Sequence, residues 1–209
     1  MTEAATVMHD AAHIGSRLRV QRERQGLSLR ELARRIGVSA SLISQIERDK
    51  VNPSVSTLYA LVRELGLTMG DLFAGDGAEP ALGASSGNEP VVNANDRITI
   101  KLASGVTWER LTPASDPGVE FLNVVYDVGS ESCPEDSLVT HGGKEYGVVL
   151  SGRLGVRIGF DEHELGPGDS ISFDSSSPHR LWAIGDECVT AIWVVVGRQS
   201  DNRAALAEH

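Results

Sequence analysis

Between Leu27 and Lys50 the chain reads LSLRELARRIGVSASLISQIERDK, and here the residue types first suggest a chemistry. Ser28 precedes Glu31 by three positions, a capping-box spacing, and Leu29, Leu32, Ala33 and Ile36 recur at the helical period as far as Gly37. Ser39 offers a second cap, and Leu42, Ile43 and Ile46 would hold the inner face of the helix it opens. The outer face would then present Ser39, Ala40, Ser41, Ser44, Gln45 and Arg48. Short hydroxyls suit phosphates and base edges, Gln can bond adenine in bidentate fashion, and Arg can bond guanine. Two capped helices joined by a tight turn can place the second in the DNA major groove while the first crosses the backbone. The predicted DNA-contacting set is Arg30, Ser39, Ser41, Ser44, Gln45 and Arg48. Glu47 would repel phosphate, so it is expected to pair inside the domain with an Arg of the preceding Ile14–Gln25 helix.

The elements that must position these residues are of two kinds. After Asn52-Pro53, Ser54 opens a further helix carrying Val55, Leu58, Leu61, Val62 and Leu65 up to Gly66, and a last turn covers Met69 to Phe73. Residues 1–73 therefore read as a compact all-α domain. Residues 74–90 (AGDGAEPALGASSGNEP) have no period and read as a linker. From residue 91 the pattern alternates in short runs: Arg97–Leu102, Val106–Thr112, Phe121–Asp127, Tyr146–Leu150, Leu154–Phe160, Ser170–Phe173, Arg180–Ile184 and Val189–Val196. Turn material such as Ser151-Gly152 and Gly166-Pro167-Gly168-Asp169 separates them, which predicts an all-β barrel or sandwich over 91–197. Residues 198–209 form a polar tail. The fold class is thus multidomain, all-α followed by all-β.

Charge divides at the same place. The net charge of −10 argues at first sight against nucleic acid, but residues 1–73 hold ten basic and eight acidic side chains (+2). Residues 74–209 hold nine basic and twenty-one acidic ones (−12). An Arg-rich head on an acidic body implies two jobs. No run approaches eighteen apolar residues and the N-terminus lacks a basic start followed by an apolar stretch. Neither a membrane span nor a secretory signal is expected, and a cytoplasmic protein is. Cys133 and Cys188 have no CxxC spacing and are expected as reduced thiols.

Two resemblances follow. The stretch Ile14–Phe73, and IGVSASLISQIER in particular, resembles the lambda-repressor-like (XRE) helix-turn-helix family. In the body, THGGKEYGVVLSGRLGV (140–156) and LGPGDSISFDSSSPHRLW (165–182) resemble the two motifs of the cupin family, small β-barrels with a site in the mouth. The first motif reads His-x-His, three or four residues, Glu, six residues, Gly, and Val139 stands where its first His belongs. The resemblance leaves His141, Glu145 and His179, two imidazoles and a carboxylate, which suits a divalent metal (Fe, Zn, Mn or Ni) with open positions. The competing reading is a metal-free polar cluster lining the pocket of an organic effector. His163, in the polar run Asp161-Glu162-His163, is expected as a solvated turn residue, and Trp182 and Trp193 as barrel core. Solvated surface positions are expected for Arg153, Arg157 and Arg180.

Together the resemblances imply a homodimeric, sequence-specific transcriptional regulator with a double-stranded DNA operator as partner and a cupin domain that senses a small molecule or metal. The alternative is a mononuclear-iron cupin oxygenase or epoxidase with an XRE-like head.

Overall fold

A computed structural model describes residues 14–73, 90–116 and 118–197. The N-terminal residues 1–13, nearly all of the expected linker and the tail from 198 lie outside the described residues.

Five helices make the head: α1 (Ile14–Arg24), α2 (Leu29–Ile36), α3 (Ala40–Ile46), α4 (Val55–Glu64) and α5 (Met69–Leu72). Their starts follow the predicted caps. Ser28, Ser39 and Ser54 each accept a backbone N–H from three residues on, satisfying one of the orphan donors of a first turn. The expected capping box at Ser28 closes on one side only, because the Glu31 carboxylate is drawn to Arg34 and Arg35 at 2.7 and 2.9 Å. A reciprocal box forms instead between Thr68 and Asp71. Gly37 ends α2 at φ 74°, a left-handed geometry that costs glycine little. Leu18, Leu32, Ile43, Ile46, Leu58, Leu61 and Leu65 are buried together at the centre of the head.

Glu47 pairs internally, as expected. It is bound by Arg22 of α1 through Nε–Oε1 at 2.6 Å and Nη2–Oε2 at 2.8 Å, and Arg22 Nη1 also donates to the Leu27 carbonyl. Both side chains are buried, so this bidentate pair joins α1 to the end of the second helix of the helix-turn-helix.

The body has two antiparallel sheets. The strands are β1 (Thr99–Lys101), β2 (Val106–Arg110), β3 (Val119–Tyr126), β4 (Lys144–Ser151), β5 (Arg153–Ile158), β6 (Asp161–Leu165), β7 (Ser170–Asp174), β8 (His179–Ile184) and β9 (Val189–Val196). One sheet runs β1-β2-β3-β9-β4-β7 and the other β6-β5-β8. Trp108, Leu122, Val124, Val149, Leu154, Val156, Leu181 and Trp193 fill the space between them. The body departs from the expected pattern at three places. Asp161–Leu165 is a strand rather than a turn: its first four residues, His163 included, face solvent, so no apolar alternation marks it. The strand expected from Tyr146 starts two residues earlier and includes Glu145. Trp182 is only half-buried, with its ring covered by the Arg180 guanidinium at 4.7 Å.

The head sits directly on the body. The Ala103 N–H donates to the Pro53 carbonyl at 3.0 Å, and Arg110 Nη1 donates to the Phe73 carbonyl at 3.0 Å. No helix among the described residues is long and apolar enough to cross a membrane. Breaking the Arg22–Glu47 pair from one side strands a buried charge. Glu47→Ala should therefore destabilise the head by about 3–5 kcal/mol, read as a lower urea midpoint of the helical circular-dichroism signal.

Candidate functional site

The three residues that the cupin motifs single out converge, although they come from separate parts of the body. Glu145 lies on β4 and points between the sheets, with Gly147 and Val149 on the same inward side. His179 opens β8 in the opposite sheet. His141 lies in the segment before β4, held by its backbone N–H on the Ser175 carbonyl at 3.1 Å. His141 Nε2 stands 3.0 Å and His179 Nε2 3.3 Å from Glu145 Oε1, and one ligand atom from each residue lies within 4.8 Å of the others. The two imidazole rings meet edge to face at 5.0 Å.

The protons can be placed from the neighbours. His141 Nδ1 faces the Gly142 carbonyl at 3.1 Å and His179 Nδ1 the Ser177 carbonyl at 2.9 Å. A carbonyl only accepts, so each Nδ1 carries a hydrogen, and each ring turns its Nε2 towards Glu145. Glu145 is 3% exposed and its Oε1 has no hydrogen-bond donor, while Oε2 accepts the Trp193 indole N–H at 2.6 Å. Burial pushes the carboxyl up. The Trp193 N–H works against that and favours the ionised form. Two imidazole nitrogens and an ionised oxygen facing one point suit a positive charge between them. The donor set therefore fits a divalent cation, held through imidazole nitrogens whose far sides are oriented by backbone carbonyls. Val139, at the position of the missing motif histidine, is buried and bridges His179 through paired backbone hydrogen bonds at 2.9 and 3.0 Å.

Trp193 was expected only as core. It is core, but it also fixes the site carboxylate, a role with no short-range signal, since 48 residues separate the two. Gly147 makes this possible: a Cβ there would overlap the six-membered ring of Trp193. Tyr59 was missed altogether. It projects from α4 of the head, with its ring 5.2 Å from the His141 ring and 5.6 Å from that of Trp108. Arg180 is not a solvated surface residue either; it pairs with Glu131 and donates to the Cys133 carbonyl at 2.9 Å. Arg153 conforms better, being half-exposed and paired with Glu164.

In the head, α3 buries Ile43 and Ile46. Arg30, Ser39, Ser41 and Arg48 are exposed, and Ser44 and Gln45 partly so. Several are already engaged locally. Ser39 Oγ caps α3, Gln45 Nε2 donates to Ser41 Oγ at 3.1 Å, and Arg48 Nε donates to the Ser44 carbonyl at 2.9 Å.

Trp193→Phe removes the donor to Glu145 together with part of the buried ring system over Gly147. A hydrogen bond to a charged group contributes about 1.5–3 kcal/mol, so the barrel's thermal midpoint should fall correspondingly, and an unchanged midpoint would show that the bond is dispensable.

Comparison with known proteins agrees with both halves. Residues 18–72 match the helix-turn-helix family model and residues 123–195 the cupin domain model. The chain is 31% identical over 167 residues to the HTH-type transcriptional regulator PuuR of Escherichia coli (strain K12), covering 80% of this chain and 85% of that one. It is 23% identical over 179 residues to the HTH-type transcriptional regulator SutR of the same organism, covering 86% and 92%. A solved helix-turn-helix family transcriptional regulator from Vibrio cholerae aligns with a TM-score of 0.61 at 27% identity over 88% of this chain and 95% of that one. These relatives are regulators, and they leave the oxygenase alternative the less supported reading. With a helix-turn-helix head, a cupin body and a regulator as relative along most of both chains, this protein belongs to the family of HTH-type transcriptional regulators.

Proposed function

We propose that this DNA-binding regulator works as a homodimer, reading its operator with Arg30, Ser39, Ser41, Ser44, Gln45 and Arg48 and holding a divalent cation (Fe, Zn, Mn or Ni) at His141, Glu145 and His179. A small organic effector is the second partner of the barrel. The head, residues 1–73, and the sensor, residues 91–197, divide the work, and the site of action is the cytoplasm, where an operator is found. Dimerisation follows from geometry: heads of this kind read two half-sites about one helical turn apart, so one head reads half an operator.

The single observation that carries the cation is the buried Glu145 Oε1, which no donor reaches and which two imidazole nitrogens face. A bound cation would balance that charge and offer positions to oxygen donors, while Trp193 and the Gly142 and Ser177 carbonyls keep the three ligands oriented. For DNA, the local bonds of Gln45 and Arg48 hold both side chains along the exposed side of α3, the side that must meet base edges.

Two measurements test the reading. Fluorescence anisotropy on a fragment of the protein's own promoter should show Arg48→Ala and Gln45→Ala each weakening specific binding by about 1–3 kcal/mol, and log affinity should fall linearly with log salt. Wild-type affinity in both variants would overturn the recognition surface. Elemental analysis after reconstitution with Fe(II), Zn, Mn or Ni should find one ion per chain in the wild type and none in His179→Ala. No ion in the wild type with any of the four would leave the three residues as a metal-free effector cluster.

A further inference from the structure

Two spaces meet at Tyr59. The inner one is a chamber of about 40 Å³ lined by Glu145, His179, Tyr126, Trp108 and Trp193. A water needs at least ~10–15 Å³ on this measure, so the chamber has room for an ion and a few waters and none for an organic molecule. The outer one is a cleft of about 1170 Å³ between α4 of the head and the segment 137–142 of the barrel, which is ample for a small ligand. Tyr59 and Val139 line both spaces, and His141, which also lines the cleft, reaches Glu145 in the chamber. The Tyr59 ring, set against those of His141 and Trp108, is thus part of the wall between cleft and chamber, and the head supplies it.

The cleft has a chemistry of its own. Its wall carries the hydroxyl residues Ser56, Thr57, Ser137, Thr140 and Ser176. Its ionic residues besides His141 are Arg35, Arg63 and Glu64. Arg35 is engaged by Glu31 at 2.9 Å and Glu64 at 2.8 Å. Arg63 is exposed and takes part in no ion pair among the described residues, so the cleft keeps one uncompensated positive charge on a molecule that is acidic overall. Hydroxyls and a single cation suit an oxygen-rich anion. The same α4 that carries Tyr59 and Arg63 buries Leu58, Leu61 and Val62 in the core of the head and packs on α2, so it offers a route from the Tyr59 ring to the helix-turn-helix.

We propose that the cleft between α4 and residues 137–142 is the effector site, that it takes a small hydroxylated carboxylate with its acid group on Arg63, and that Tyr59 transmits its arrival to the DNA-binding head. This rests on the reading of the barrel as the sensor. It commits beyond that reading to a place, a ligand class and a coupling residue.

The test uses the full-length, metal-reconstituted protein, with L-malate, L-tartrate and D-gluconate as probes and the promoter fragment as readout. Metal content is measured on the same samples. At least one probe should shift the wild type's operator affinity tenfold or more. Arg63→Ala should raise the probe concentration needed for half of that shift by at least tenfold. Tyr59→Ala should still bind the probe, detected by Trp fluorescence, yet lose most of the shift relative to its own probe-free affinity. Tyr59→Phe, which keeps the ring, should retain the shift and guards against a folding defect in the Ala variant. If no probe moves the wild type's affinity while metal and DNA are both bound, the ligand class is wrong. If Tyr59→Ala shows the full shift, the coupling is wrong. Loss of metal from the wild-type samples would instead count against the cation reading, so the two failures are separable.

Discussion

Burying the carboxylate of Glu145 is the constraint around which the barrel is arranged. An ionised group this far from water is tolerated only when paired and hydrogen-bonded. Its neighbours are arranged around that demand. Trp193 gives an N–H to one oxygen, two imidazoles face the other, and two backbone carbonyls fix how the imidazoles are turned. The sheet topology makes the meeting possible. Glu145 and Trp193 lie on adjacent strands β4 and β9, while His179 arrives from the opposing sheet. Gly147, opposite Trp193 across those two strands, leaves the space the indole occupies.

The head is organised on a parallel principle. Its buried charge pair, Arg22 with Glu47, fixes the end of the helix-turn-helix against α1 with two short bonds. Such a pair contributes less to net stability than to geometry, since its desolvation offsets much of its attraction. What it secures is the position of α3, whose exposed side has to meet DNA. Helix α4 then belongs to two assemblies at once. Leu58 and Leu61 complete the head's apolar core, and Val55 and Tyr59 lie over the barrel mouth. A helix shared in this way ties the state of the mouth to the state of the head, because close-packed side chains shift as units rather than deform.

Much of this was legible from residue order alone, for local reasons. Helix caps act over three residues, so Ser28, Ser39 and Ser54 announce their helices directly. Strand alternation acts over two, so most of the barrel's strands can be read off. The exception is β6: its first four residues all face solvent, and alternation is visible only when one face of a strand is buried. The start of β4 was placed too late for a similar reason, since a charged inward residue, Glu145, does not register as apolar.

The two-domain plan, the helix-turn-helix, the cupin motif positions and the internal fate of Glu47 are all written in residue order, because short-range patterning and residue chemistry specify each of them. That Trp193 serves Glu145, that Arg180 is drawn inward to Cys133 and Glu131, and that Tyr59 of the head lies against His141 of the barrel emerges from packing alone. These contacts join residues between 47 and 82 positions apart, or across domains. No local rule links such partners; they meet because two sheets and a helix pack on one another, and packing is a property of the assembled chain.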